Sequence, residues 1–258
     1  MLKEKVVFIA GACGRIGKAL SRAVLEQGGG LAAADIDTAG LERLKAELGA
    51  EFGTEFSESI LALPLDITDK EGLNLAFEKA ACRLGKIDGF VNASYPPLRH
   101  QRPYYELEFG EICENLNAHL GGFILASQEA VKFFKKQGWG NIINFSSIMG
   151  VYAPKFENYE GTTMQSSLEY SVIKAGINHL GKWLAKELFN TNIRVNTLAC
   201  GGILDAQPQS FLRAYRACCA SKGMLEPGDV CGTAVFLLSD LSMQMTGQTL
   251  VVDDGWGL

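Results

Sequence analysis

Disulfide frameworks, basic stripes and membrane-length apolar runs are all missing from this sequence. Its seven cysteines are odd in number and include no Cys-x-x-Cys pair, so reduced, buried thiols are expected, with no metal centre; the adjacent Cys218-Cys219 is the one oddity. Twenty-four basic residues against 29 acidic ones give a net charge of −5, which argues against nucleic acid as a partner. No segment is long enough to span a bilayer. The opening Met1-Leu2-Lys3-Glu4-Lys5 has the charged start of a secretory leader, but the apolar stretch after it runs into a glycine turn and Arg15 without a small-residue cleavage site. A cytoplasmic protein is therefore expected. There is no internal repeat, low-complexity tract or linker, and 258 residues suit one α/β domain.

What is present is an alternation of short apolar runs with helical patterns. Strands are expected at 6–10, 31–34, 61–65, 89–92, 141–145, 193–198 and 249–252, and helices at 15–27, 38–49, 70–84, 108–137, 167–189, 208–220 and 227–238. That order predicts an α/β fold: a Rossmann-type doubly wound parallel sheet of about seven strands, helices on both faces, in a single domain over 1–258. After the first strand comes Gly11-Ala12-Cys13-Gly14-Arg15-Ile16-Gly17, then a helix. Glycines there permit a tight turn, close approach of a pyrophosphate and helix-on-strand packing, while the helix N-terminus offers amides to the anion. The second strand ends at Asp35, 18 residues beyond Gly17, where a carboxylate can accept from both ribose hydroxyls. A dinucleotide is the expected ligand.

Tyr170 and Lys174, four residues apart in Glu-Tyr-Ser-Val-Ile-Lys, would share one face of a helix. A phenol is a poor acid or base at neutral pH, but a close ammonium favours its phenolate. The pair therefore reads as a proton-transfer device near the carboxyl edge of the sheet, where ligands of such folds bind.

With these motifs in order, the chain resembles the short-chain dehydrogenase/reductase family, single-domain branch, over essentially its whole length. Asp66-Ile67 resembles the family's adenine-contacting segment, Val91-Asn92-Ala93-Ser94 its fourth strand end, and Asn144-Phe145-Ser146-Ser147 the stretch carrying its active serine, with Ser147 in that role. Arg194-Val195-Asn196 and the ending Thr246-Gly247-Gln248 to Asp253-Asp254-Gly255 also match. The resemblance implies hydride transfer between a nicotinamide and an alcohol or carbonyl carbon. Tyr170 would shuttle the proton, Ser147 would bond the reacting oxygen, and Lys174 would lower the phenol pKa and hold the nicotinamide ribose. It also implies cofactor contacts from Gly11, Gly14, Arg15, Ile16, Gly17, Asp35, Asp66, Ile67, Asn92, Ala93, Tyr170, Lys174 and Ile203. Asp35 favours NAD over NADP, because a 2′-phosphate beside it meets like charge; Arg15 is the counterweight.

Several positions depart from the family pattern. The glycines stand as Gly-x-x-Gly-x-x-Gly, the spacing of the sugar-nucleotide branch; Ala10 replaces a threonine, Cys200 a proline, and Asp205 a threonine near the nicotinamide amide. The fourth catalytic position falls on His119 or on Asn117, two residues apart and so on different sides of an ideal helix. The 23 residues from Ser147 to Tyr170 form a longer gap than usual and mark a substrate-loop insertion near 151–169, with Tyr152, Lys155, Phe156, Tyr159 and Glu160. The loop from Tyr95 to Tyr105, carrying Arg99, His100, Gln101 and Arg102, and a lid near 203–224 with Arg213 and Arg216, suggest an anionic small-molecule substrate. The run Ala153-Pro154-Lys155-Phe156-Glu157 further resembles bacterial flagellin-modification oxidoreductases, relatives linked to sugars for flagellar glycosylation, and that resemblance implies a sugar-like substrate. A sugar oxidoreductase, an epimerase or dehydratase with transient hydride transfer, and a non-catalytic dinucleotide sensor are the three readings. The resemblance also implies a homotetramer or dimer paired through helices 108–137 and 167–189, where Phe123, Leu125, Phe133, Phe134, Ile177, Leu180, Trp183, Leu184 and Leu188 exceed a narrow core-facing stripe.

Overall fold

A computed structural model describes residues 1–53, 59–98 and 102–258. Seven strands, β1 Val6–Ala10, β2 Gly30–Asp35, β3 Ile60–Pro64, β4 Gly89–Asn92, β5 Gly140–Ser147, β6 Ile193–Cys200 and β7 Thr249–Val252, make one sheet in the order β3-β2-β1-β4-β5-β6-β7. Every pairing is parallel. Strands covered on both faces need apolar side chains in both directions, which is why β1 reads Val-Val-Phe-Ile-Ala without alternation.

The period of two is nevertheless visible in the packing. Val7 and Ile9 face a core shared with helices α1 Arg15–Glu26, α2 Thr38–Phe52 and α8 Cys231–Leu238. Phe8 and Ala10 face a second core, built with α3 Lys70–Leu84, α5 Gly122–Gln137 and α6 Leu168–Glu187. There Phe8 stacks on Phe77 at 4.8 Å between ring centroids and meets Phe90 edge-on at 5.7 Å. The remaining helices are α4 Phe109–Leu116 and α7 Gln209–Ala217.

Observed boundaries differ from the expected ones where polar side chains are locally satisfied. β5 runs on through Ser146 and Ser147, and β6 through Cys200; Ser146 Oγ donates to the Lys174 carbonyl at 2.9 Å, so a hydroxyl ends the apolar run without ending the strand. The expected helix 108–137 is α4 and α5 joined by a π-helical turn, Asn117–Gly121. Residues 227–230 form a 3-10 turn ahead of α8, with Pro227 opening it. Helix α6 starts where Ser167 caps it, accepting from the Tyr170 amide at 3.3 Å.

Because β1 lies between β2 and β4, the chain reverses direction across the sheet after β3, and a crevice opens over the carboxyl ends of β1 and β4. A third, smaller apolar cluster of Ile148, Phe211, Tyr215 and Trp256 sits beyond β5 and β6.

Candidate active site

The glycine turn closes on the end of β4. Gly11 has φ +81°, and a Cβ there would lie 2.7 Å from backbone atoms of Ala93 and Ser94; a Cβ on Gly17 would lie 2.0 Å from the Gly11 carbonyl oxygen. Helix α1 begins with Gly14 at its N-cap, no side-chain cap and no acidic residue in its first turn, so its positive end is offered to an anion. The Asp35 carboxylate accepts the Cys13 amide at 2.8 Å and the Asp37 amide at 3.0 Å, one bond to each oxygen. Each oxygen keeps a further acceptor site, so two ribose hydroxyls still fit. Asn92 is fully buried; its Oδ1 accepts the Ser94 amide at 3.2 Å, while its Nδ2 has no partner and awaits one. Asp66 holds Thr68 through its amide and hydroxyl, at 2.8 and 2.7 Å, and Ile67 beside it is buried. Ile16 and Ile203 pack on the first core, which brings the loop after β6 next to the turn. Arg15 forms an ion pair with Asp205 in that loop. The orphaned Asn92 amide and a turn with no room for a Cβ fit a dinucleotide.

Beside this cleft, the end of β5 and the first turns of α6 gather the chemistry. Ser146 Oγ ties β5 to the carbonyl of Lys174, and Asn178 Nδ2 donates to the Gly150 carbonyl at 2.9 Å. A Cβ on Gly150 would lie 2.4 Å from the Lys174 backbone, so only glycine lets the helix come this near. Thus fixed, Tyr170 hydrogen-bonds Ser147, whose Oγ also accepts the Met149 amide at 3.2 Å. Lys174 is buried with its Nζ 3.4 Å from the Phe145 carbonyl, over the rings of Phe123 at 5.4 Å, Tyr170 at 5.6 Å and Tyr95 at 6.0 Å.

Burial governs the ionisation of this cluster. It pushes the Lys174 ammonium down to about 8, with an opposing electrostatic contribution from Cys200, which lies at the end of β6 in register with Ser147. It also pushes the Tyr170 phenol well above its ordinary value, with the Ser147 bond pulling the other way. The expectation that Lys174 lowers the phenol pKa is therefore corrected for the protein alone: desolvation is the largest cause, so the phenol is raised, and Tyr170 is a protonated acid at neutral pH.

His119 and Asn117 both lie in the π-turn and meet different surroundings. His119 is buried, its Nε2 has no partner, and its ring meets that of Tyr95 at 5.6 Å; Asn117 is exposed. Burial, then the charge of Lys174, lower His119 to about 4, so it is neutral at physiological pH. Tyr95 also meets Tyr170 edge-on at 6.0 Å and walls the cluster. An irregular loop gives no periodic signal to predict that placement.

The other substrate-side residues are placed less centrally. Lys155 is held away, its Nζ donating to the Trp256 carbonyl at 2.7 Å and lying 4.6 Å over that ring. Tyr159 packs on Phe211 of α7 at 5.1 Å, Phe156 is exposed, and Arg102 pairs with Glu111 at 3.1 Å. Arg213 and Arg216 are exposed on α7. Arg99, His100 and Gln101 lie outside the described residues. Among the described residues no group of three or more His, Cys, Asp or Glu could hold a metal ion, and no helix is long and apolar enough to cross a membrane.

Fold and site together define a dinucleotide-dependent oxidoreductase. A family profile described as enoyl-(acyl carrier protein) reductase matches residues 11–257, and the chain belongs to the short-chain dehydrogenase/reductase family, whose members use NAD(P). It is 66% identical over 260 residues to post-translational flagellin modification protein A of Campylobacter coli, covering all of both chains. It is 30% identical to a 3-oxoacyl-[acyl-carrier-protein] reductase of Thermotoga maritima, over 98% of each. A short-chain dehydrogenase of Leptospira borgpetersenii, solved with bound NAD+, superposes with a TM-score of 0.84 at 28% identity, covering 100% of this chain and 94% of that one.

Proposed function

We propose that this chain transfers hydride between a nicotinamide and an alcohol or carbonyl carbon of a sugar-like substrate, by a Ser147-Tyr170-Lys174 mechanism. The observation that carries it is the joining of these three residues at the end of β5, one strand from the cleft over β1 and β4. A bound nicotinamide would supply or accept the hydride at the substrate carbon. In reduction, the protonated Tyr170 hydroxyl gives its proton to the substrate oxygen as the carbonyl π bond is lost, while Ser147 donates to the same oxygen. In oxidation the same proton returns to Tyr170. Lys174, largely protonated at pH 7, stabilises the phenolate left behind, and His119, neutral and unpartnered, accepts a hydrogen bond that lets a water reconnect the buried site to solvent.

Asp35 supports NAD as the cofactor, since a 2′-phosphate would meet a carboxylate whose position two amides fix. Competition titration should show NADH binding more tightly than NADPH; the reverse order would overturn that assignment. The relation to the Campylobacter coli protein supports a place in the post-translational modification of flagellin. A turnover screen of sugar phosphates and nucleotide sugars tests the substrate class. Absence of net absorbance change with a converted sugar would favour the epimerase reading suggested by the glycine spacing of 11, 14 and 17, because hydride would then return to product.

A further inference from the structure

We propose that Arg15 and Asp205 form a clasp over the dinucleotide cleft, the guanidinium sitting between the cofactor's diphosphate and the carboxylate of the lid, so that cofactor binding orders the lid. The inference rests on the reading that a dinucleotide binds at the glycine turn.

Arg15 is the first residue of α1, at the uncapped positive end of that helix. Asp205 follows β6 by five residues, at the start of the segment leading to α7. Their ion pair joins parts of the chain 190 residues apart, and both side chains stand about half-exposed on the cleft rim, at 56% and 44%. Such a pair contributes little to the fold, since water competes for both charges. The turn presenting Asp205 is nonetheless built: its amide donates to Gln207 Oε1 at 2.6 Å, the Gln207 amide donates to the Asp205 carbonyl at 2.8 Å, and Gln207 Nε2 donates to the Ile203 carbonyl at 3.0 Å. Ile203 in turn bridges to Leu225 at the far end of the lid.

A carboxylate held at the mouth of a site for a dianion repels its ligand unless a cation lies between them. Arg15 is that cation. A guanidinium has five donors in a planar fork, enough to serve Asp205 on one edge and a phosphate on another. Arrival of the diphosphate therefore does not have to break the pair; it adds a third member to it, drawing the lid toward the glycine turn. The same arrangement draws Arg15 toward the diphosphate end and away from the ribose at Asp35.

The test is a double-mutant cycle on NADH affinity, read by cofactor fluorescence on the full chain, with circular dichroism confirming that each variant folds. Arg15→Ala should weaken NADH about tenfold or more when Asp205 is present, but by less than about threefold in the Asp205→Ala background, because the unmasked carboxylate supplies most of the loss. Hydrogen exchange supplies the second arm. NADH should slow amide exchange over 203–217 in the wild type and should fail to do so in Asp205→Ala at saturating NADH. Losses that multiply independently, or lid protection that survives Asp205→Ala, would overturn the clasp while leaving the cofactor reading intact. Failure of the wild type to bind either NADH or NADPH would remove the cofactor reading itself, and the clasp with it.

Discussion

Lys174 is a charge kept where the protein resists it. With its ammonium pushed down to about 8 against an ordinary 10.5, the unfolded chain binds more protons than the folded one between those values. Stability is therefore depressed below pH 8 and recovers as the pH rises through that window. Lys174→Met should raise the midpoint of thermal unfolding at pH 7 by about 2–6 °C while abolishing turnover, as scanning calorimetry and a coupled assay would show. Tyr170→Phe should lower turnover by about 10²–10⁴ with nearly unchanged NADH affinity, since the hydroxyl acts on substrate and the glycine turn lies elsewhere. His119 behaves in the acid range as Lys174 does in the basic one. Titrating at about 4 when folded and 6.5 when unfolded, it withdraws stability as the pH falls from 6.5 to 4, by about 3 kcal/mol at most. His119→Asn should flatten that limb of a stability–pH profile; an unchanged profile would show that the histidine is not the group responsible.

At the scale of elements, the lid depends on the tail that follows β7. Asp254, in the left-handed region at φ 55°, accepts the amides of Ser221 and Gly223 at 3.1 and 2.7 Å and the Ser221 hydroxyl at 2.7 Å, and it also takes the Lys222 amide. These bonds hold its carboxyl well below the usual range and offset the backbone cost. Asp254→Ala should speed amide exchange at 221–223 and raise KM for the substrate more than it lowers kcat; slow exchange in the variant would refute the anchoring. The seven strands were readable in sequence because a sheet covered on both faces demands unbroken apolar runs, and the Tyr170-Lys174 offset because a helix has a fixed period. What the sequence hid is what depends on contacts far along the chain: the strand ends carried by Ser147 and Cys200, the π-turn that buries His119, the wall made by Tyr95, and the pairing of Arg15 with Asp205. None of these leaves a periodic trace.

The whole molecule has its spare apolar surface in places other than those expected. Phe123, Phe134, Ile177, Leu184 and Leu188 are buried within the single chain, and Leu125, Phe133 and Leu180 partly so; of the nine residues only Trp183 is well exposed, at 58%. Phe109, Ile124, Leu168, Val172 and Phe189 are among the exposed apolar residues around those helices, and they support the proposed assembly instead. Light scattering at micromolar concentration should return a dimer or tetramer, and Val172→Glu with Trp183→Glu should shift it toward the 27.9 kDa chain. A wild type that scatters as one chain would remove the assembly.

The position of β1 inside the sheet, between β2 and β4, also bears on how the protein is made. Val7–Ala10 pair with β4 on one side, and β4 begins only at Gly89, well after β2 and β3 have been synthesised. A nascent chain that has emerged through β3 therefore carries an apolar strand with one edge of amides and carbonyls unpaired, the arrangement that invites mispairing between chains. Ribosome pausing or truncation before Gly89 would leave a product prone to aggregate and to engage chaperones, whereas release after β4 closes that edge and lays down the floor of the cofactor crevice in the same step.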